Sequence, residues 1–332
     1  MLRVRNQRSI LMFTGAILLL ISGVSIFIGR YPQPYWLSPA SLSRDQLARQ
    51  LVYTLRLPRL TLALLLGASL SGAGAVMQMV FRNPIVEPGF LGVSQGAAFG
   101  ASLSIICWGP GNWALYLSAI VCSLSGLGLS YFLARRIRFG SWVLRLVLAG
   151  IAASALFSAG TGALKYIADP LTQLPEITFW MLGGLWSATW DDLLRALPIV
   201  LPSLAAIYFL RWRLNILSLD DRTALSLGIA PGRERRWLLV ASVVATAALT
   251  AVAGVVGWIG LIVPHLARRI FGADARQHIP GAMLMGAILM LLCDDLARSL
   301  LAGEIPLGIL TSFLGAGGFM LLLASDRLPR LV

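Results

Sequence analysis

The feature that most constrains this chain is a succession of apolar runs, most of them about 20 residues long and nearly free of charge, that recurs from one end of the sequence to the other. A run of that length crosses the hydrocarbon of a bilayer as an α-helix, because lipid offers no partner to an open backbone N–H or C=O. The runs lie near residues 9–29, 60–80, 90–107, 113–134, 142–164, 193–210, 236–254, 257–267, 280–300 and 306–324. They predict an all-α, polytopic membrane protein of about ten crossings. Composition agrees: with 58% of 332 residues hydrophobic and 12% charged, too little polar surface exists to cover a water-soluble domain of this size.

The first run, Ser9 to Gly29, follows Arg3, Arg5 and Arg8, a charge pattern that a secretory leader also carries. Its length, and the lack of a small-x-small cleavage site after it, mark it as a retained anchor with its amino end inside. Cys107, Cys122 and Cys293 lie in apolar runs or at their ends, without metal-site or disulfide spacing, which suits packing.

A formal charge of +13 raises the question of nucleic acid, but such a partner needs the charge gathered on one soluble face. Starting from an inside amino end, the inner loops hold 19 cations, from Arg3 to Arg330, against six acids: Glu87, Asp220, Asp221, Glu234, Asp274 and Asp326. Eight cations and eight acids remain outside, so the whole excess is cytoplasmic, as the positive-inside rule requires. The charge therefore serves orientation in a lipid bilayer and requires no nucleic acid. Omitting the short eighth span would strand Arg268, Arg269 and Arg276 outside.

Small residues recur at four-residue spacing in Gly92, Gly96 and Gly100, and again in Gly150, Ser154, Ser158 and Gly162. Such stripes let helix backbones approach closely, and could equally line a smooth, uncharged pathway. Three polar segments interrupt the runs: Tyr31–Arg59 and Tyr166–Asp192 outside, Asn215–Arg236 inside. The outer two suit short interfacial helices anchored by Trp36, Trp180, Trp186 and Trp190.

Within a cytoplasmic loop placed at 211–236, Asp220 and Asp221 can cap a short helix and favour its positive amino end. Leu225 and Leu227 then lie on or near an apolar side, and Gly228 permits a sharp exit. A short amphipathic helix facing the cytosol wants a protein partner.

These residues resemble the FecCD-type permeases of bacterial importers for ferric siderophores, haem and cobalamin, across nearly the whole chain. The resemblance rests on Arg56-Leu-Pro-Arg59, Gly67 to Gln78, Arg82-Asn-Pro-Ile-Val-Glu-Pro88, Leu91 to Ala97, Leu148-Ala-Gly-Ile151, the loop ending at Gly228, Gly257 to Arg268, and Glu304-Ile-Pro-Leu-Gly308. Two departures are Asp220-Asp221, where the family often has Gly-Glu, and Gly317, where a proline is usual; the latter suggests a straighter last helix.

The resemblance implies a single transmembrane permease domain over 1–332 with the type II ABC importer permease fold, in the bacterial inner membrane with both termini cytoplasmic. It implies a second permease subunit, identical or a close paralogue, and separate ABC ATPase subunits that grip a coupling helix at Leu219, Asp220, Asp221, Ala224, Leu225, Leu227 and Gly228. ATP and Mg would sit on those subunits: a GxxxxGK[ST] loop needs a lysine, and the only one here is Lys165, in Gly162-Ala-Leu-Lys165. Outside, it implies that Arg56, Arg59 and Arg298 receive acidic residues of a periplasmic binding protein. Headgroup anchoring is the alternative for Arg56 and Arg59, and an ion pair with Asp294 and Asp295 for Arg298.

Other polar residues read two ways. Gln78 is a helix-to-helix hydrogen bond or a pathway contact, and Ser141 and Trp142 roughly match a cytoplasmic gate of related permeases. His265 reads as a hydrogen-bonded structural histidine, having no second ligand at metal spacing. Asp294 and Asp295 could form a proton relay, as an ion-coupled secondary transporter would need near the midplane. A membrane enzyme, the weaker rival, would need a nucleophile with a base, or a metal cluster, facing a cavity, whereas the two histidines, His265 and His278, both fall at the predicted cytoplasmic side. The expected cargo is a chelated metal compound, a ferric siderophore first, with haem, cobalamin or an oxyanion such as molybdate open.

Overall fold

The computed structural model describes residues 2–30, 35–109, 111, 113–140, 142–301 and 303–324. The ten expected spans correspond to ten helices: α1 (Leu2–Ser25), α4 (Leu57–Val80), α5 (Val93–Trp108), α6 (Trp113–Arg136), α7 (Trp142–Ile167), α9 (Trp190–Leu217), α11 (Pro231–Ala253), α12 (Ile259–Phe271), α13 (Ala275–Ser299) and α14 (Leu307–Ala324). Among the described residues, seven reach spanning length with spanning hydropathy, while α5 and α14 are shorter apolar helices and α12 has 13 residues.

The polar segments hold the short elements: α2 (Ser41–Arg44), α3 (Gln46–Leu51) and α8 (Gln173–Leu182) in the two segments expected outside, and α10 (Asp221–Ser226) in the one expected inside. A π turn over Val52–Arg56 carries α3 directly into α4, so this helical segment starts earlier than hydropathy alone suggests. A two-residue antiparallel ladder, Ile28↔Trp36 and Gly29↔Tyr35, closes the connection after α1.

Helix α4 is the centre of the bundle, most of its length buried against α13, α11, α12 and α9. Its glycines explain how: a Cβ on Gly67 would stand 2.1 Å from the carbonyl oxygen of Gly286 on α13, and one on Gly74 would stand 1.9 Å from that of Gly260 on α12. Without a hydrophobic drive between helices in lipid, such backbone-to-backbone approach supplies the packing. Helix α1, by contrast, lies on the outside, with Met12, Phe13, Leu19 and Leu20 exposed.

The two small-residue stripes divide. Gly96 and Gly100 press α5 onto α6, where a Cβ would meet the carbonyls of Cys122 and Ser118 at 2.4 and 2.3 Å. Gly92 lies outside that helix, capping it with a left-handed φ of 76°. Gly150 packs on the carbonyl of Phe90, whereas Ser154 is half-buried and Ser158 and Gly162 are exposed, so only the inner part of that stripe packs within this chain. Helix α14 runs unbroken through Gly317, as expected without the proline. Cys293 is buried, but Cys107 is exposed, so packing does not account for both.

Candidate functional site

The inner polar segment folds more tightly than expected. Helix α9 continues to Leu217 and α11 starts at Pro231, which shrinks the loop from 211–236 to Ser218–Ala230 around α10. Asp220 is the N-cap of α10: its carboxylate accepts from the Thr223 N–H at 3.1 Å and from the Thr223 hydroxyl at 2.5 Å. Those bonds, the hydroxyl's first, hold the Asp220 carboxyl below its usual range.

Asp221, in the first turn, pairs with Arg235 of α11 at 2.7 Å. Arg235 also reaches the carbonyl of Leu217 at 3.2 Å, and Arg82, from the loop after α4, donates to the carbonyls of Leu217 and Leu219. Ala224 is buried, and Gly228 turns the chain with φ 77° while its N–H returns to the carbonyl of Leu225 at 2.9 Å. Leu219, Leu225 and Leu227 are left facing out, the last two at 59% and 58% exposure. The arrangement is a one-and-a-half-turn helix bolted to the bundle on one side and apolar on the other. Its Asp and Leu positions were legible; Arg82 and Arg235, remote in sequence, were not.

At the outer end the arginines sit differently from the expectation. Arg59 is buried, with its guanidinium 2.8 Å from Asp294 and 2.8 Å from Glu304. Arg298 pairs with Asp295, lies 3.8 Å from Asp294, and donates to the Ser25 carbonyl at 2.6 Å. Arg56 is buried too, donating to the Ile26 carbonyl at 2.8 Å. These three side chains are the internal ties of α1, α4 and α13 and not a free cationic surface, because a buried charge persists only when paired and hydrogen-bonded. The ion pair anticipated for Arg298 is present, and the exposed headgroup reading for Arg56 and Arg59 is not.

The groups that do reach the surface there are Arg30, donating to the carbonyls of Ser299 and Leu300 at 3.1 and 3.2 Å, and Glu304, 38% exposed. With Arg56, Arg59, Arg298 and Trp186 they line a cavity of about 270 Å³. Arg30 was not singled out from sequence, and Glu304 figured only within the block Glu304-Ile-Pro-Leu-Gly308, since nothing local tells that it shares a salt bridge with a residue 245 positions away. Asp294 and Asp295 are each paired with an arginine, so neither stands as a free carboxylate for the relay considered for them.

Gln78 is buried and donates to the Leu261 carbonyl at 3.0 Å, joining α4 to α12. Trp142 stands edge-on to Tyr131, ring centres 5.4 Å apart, at the inner junction of α6 and α7. Ser141 lies outside the described residues. His265 keeps a buried Nε2 without a hydrogen-bond partner among the described residues. Of the four tryptophans expected as belt anchors, Trp36, Trp186 and Trp190 are exposed, whereas Trp180 turns inward to the Ala251 carbonyl at 3.3 Å. Glu87, whose role was also missed, accepts a hydrogen bond from the Trp258 N–H just before α12.

The model of the FecCD transport family matches residues 15–325. The molybdate import system permease protein of Haemophilus influenzae is 39% identical over 315 residues, covering 92% of this chain and 93% of that one. The hemin transport system permease protein of Yersinia pestis is 41% identical over 280 residues, covering 83% and 84%. A solved chain described as an inward-facing conformation of a metal-chelate type ABC transporter superposes with a TM-score of 0.86 at 38% identity, covering 96% of this chain and 99% of the other.

Proposed function

The chain belongs to the FecCD transport family, and from that premise we propose that it is the membrane-spanning subunit of a binding-protein-dependent importer driven by a separate ATPase. Family membership makes it a multi-pass transport permease and not an enzyme. The relatives above handle molybdate and hemin, and our reading for this chain is a chelated metal compound, a ferric siderophore first and haem, cobalamin or molybdate next. Its place is the bacterial inner membrane, with both termini in the cytoplasm.

The observation that carries the reading is α10 and its flanks: three exposed leucines, Leu225 in the helix with Leu219 before it and Leu227 at its C-cap, on a segment held by Arg82, Asp221 and Arg235. A rigid handle is what coupling needs, because ATPase closure can shift the permease only through a contact that differs between states. Nucleotide and Mg belong to the ATPase in this scheme. A second permease subunit would cover the apolar faces that α7 and α14 leave exposed, at Ile151, Leu156, Phe313 and Met320. The binding protein would dock on the outer rim, meeting Arg30 and Glu304 first and the buried Arg56, Arg59 and Arg298 only if those pairs rearrange.

The test is uptake into proteoliposomes holding this chain, its ATPase and its binding protein, together with mass spectrometry of the ligand that the binding protein retains. ATP-dependent, vanadate-sensitive uptake of that ligand is expected. Uptake that follows an ion gradient without ATP overturns the proposal.

A further inference from the structure

Beside α10, whose Asp221 it includes, neighbouring ends of α4, α6, α7 and α11 line a cavity of about 560 Å³. Its lining carries Arg82, Arg135, Arg235 and Arg236 against a single carboxylate, Asp221, which already holds Arg235. Arg135 lies over the Tyr131 ring at 4.6 Å and donates to its hydroxyl at 3.1 Å, and Arg236 bonds only within its own helix, to the Gly232 carbonyl at 3.1 Å. Arg235 keeps a buried Nε–H with no partner. The cavity thus has more cationic donors than the protein satisfies, and an anion is the ligand that completes it.

The walls say which kind of anion. Val80, Phe81 and Leu239 form a buried apolar floor made by the last membrane turns of α4 and the first of α11. Tyr131 and Trp142 line it as well, at the level where aromatic rings meet lipid headgroups. A charged rim over an apolar floor, between helix ends on the cytoplasmic side, matches an amphiphile with a phosphate head better than a free ion. We propose that this cavity binds the phosphate headgroup of an anionic phospholipid of the inner leaflet. Since Arg235 also tethers Asp221, the first residue of α10, the lipid would share the tether of that helix and make coupling sensitive to lipid composition; this consequence rests on the importer reading, while the binding itself does not.

Native mass spectrometry of the full-length chain, titrated in detergent with phosphatidylglycerol or phosphatidylcholine, tests the binding without ATPase or cargo, so its failure leaves the importer reading standing. Preferential retention of phosphatidylglycerol is expected, weakened about tenfold in Arg135→Gln/Arg236→Gln. Both side chains are exposed, and a melting temperature equal to the parent shows the fold intact; Arg236→Gln alone, with a smaller loss, serves if the double variant fails to fold. Equal retention of the two lipids, or retention unchanged in a folded variant, overturns the proposal. Release of phosphatidylglycerol by millimolar inorganic phosphate overturns the lipid assignment in favour of a free anion.

Discussion

The guanidinium of Arg59 stands 2.8 Å from the carboxylate of Asp294, joining the first turn of α4 to the last turns of α13. Glu304, from the loop before α14, closes on the same guanidinium at 2.8 Å, so one arginine ties three segments. The two carboxylates are unequal, for Asp294 is buried and Glu304 is partly open to solvent.

That inequality sets the first expectation. Asp294→Asn leaves Arg59 and Arg298 facing a neutral group in a buried site and costs about 3–5 kcal/mol. Glu304→Gln costs about 1 kcal/mol or less. Thermal unfolding of the two variants side by side checks the order, and equal losses would show that burial does not distinguish the two pairs.

The outer rim gives a second. Arg30→Glu should weaken the cognate binding protein's affinity and flatten its salt dependence, since exposed charges act through a screened field. Arg59→Glu should instead lower the yield of folded protein, because its partners are internal. A folded Arg59→Glu protein with selectively lost docking would return Arg59 to the role that the family resemblance implies.

Helix packing gives a third. Gly67→Ala drives a Cβ to 2.1 Å from the Gly286 carbonyl, a backbone atom that cannot swing away, and should cost about 1–3 kcal/mol or more. Gly15→Ala, where nothing lies within 4 Å, should be neutral or gain up to about 1 kcal/mol from helix propensity. Melting temperatures in one detergent decide both.

Much of this architecture is legible in the sequence because lipid imposes it: hydrophobic runs locate the ten helices. Asp220, Leu225 and Gly228 are equally legible, since a cap, an apolar face and a left-handed exit are local rules. The outer arginines show the limit. Arg59 invites a surface reading because sequence shows its charge without its distant partners, and its pairing with Asp294 and Glu304 depends on how α4 and α13 pack, whereas the Arg298 pair, three and four residues away, is legible. The same limit hid Arg82 and Arg235, whose part in holding α10 follows from the meeting of three helix ends, and Glu87, whose neighbour Trp258 lies 171 positions on.

The most direct test of the account is a single charge placed on the exposed face of α10. Leu225→Asp changes a side chain that is 59% exposed and leaves Ala224, Asp221 and Arg235 in place, so the bundle should fold and melt as before. In proteoliposomes with the cognate ATPase and binding protein, the account predicts that ATP-driven uptake and co-purification of the ATPase are both lost. Uptake and ATPase association at the parent's level would contradict it.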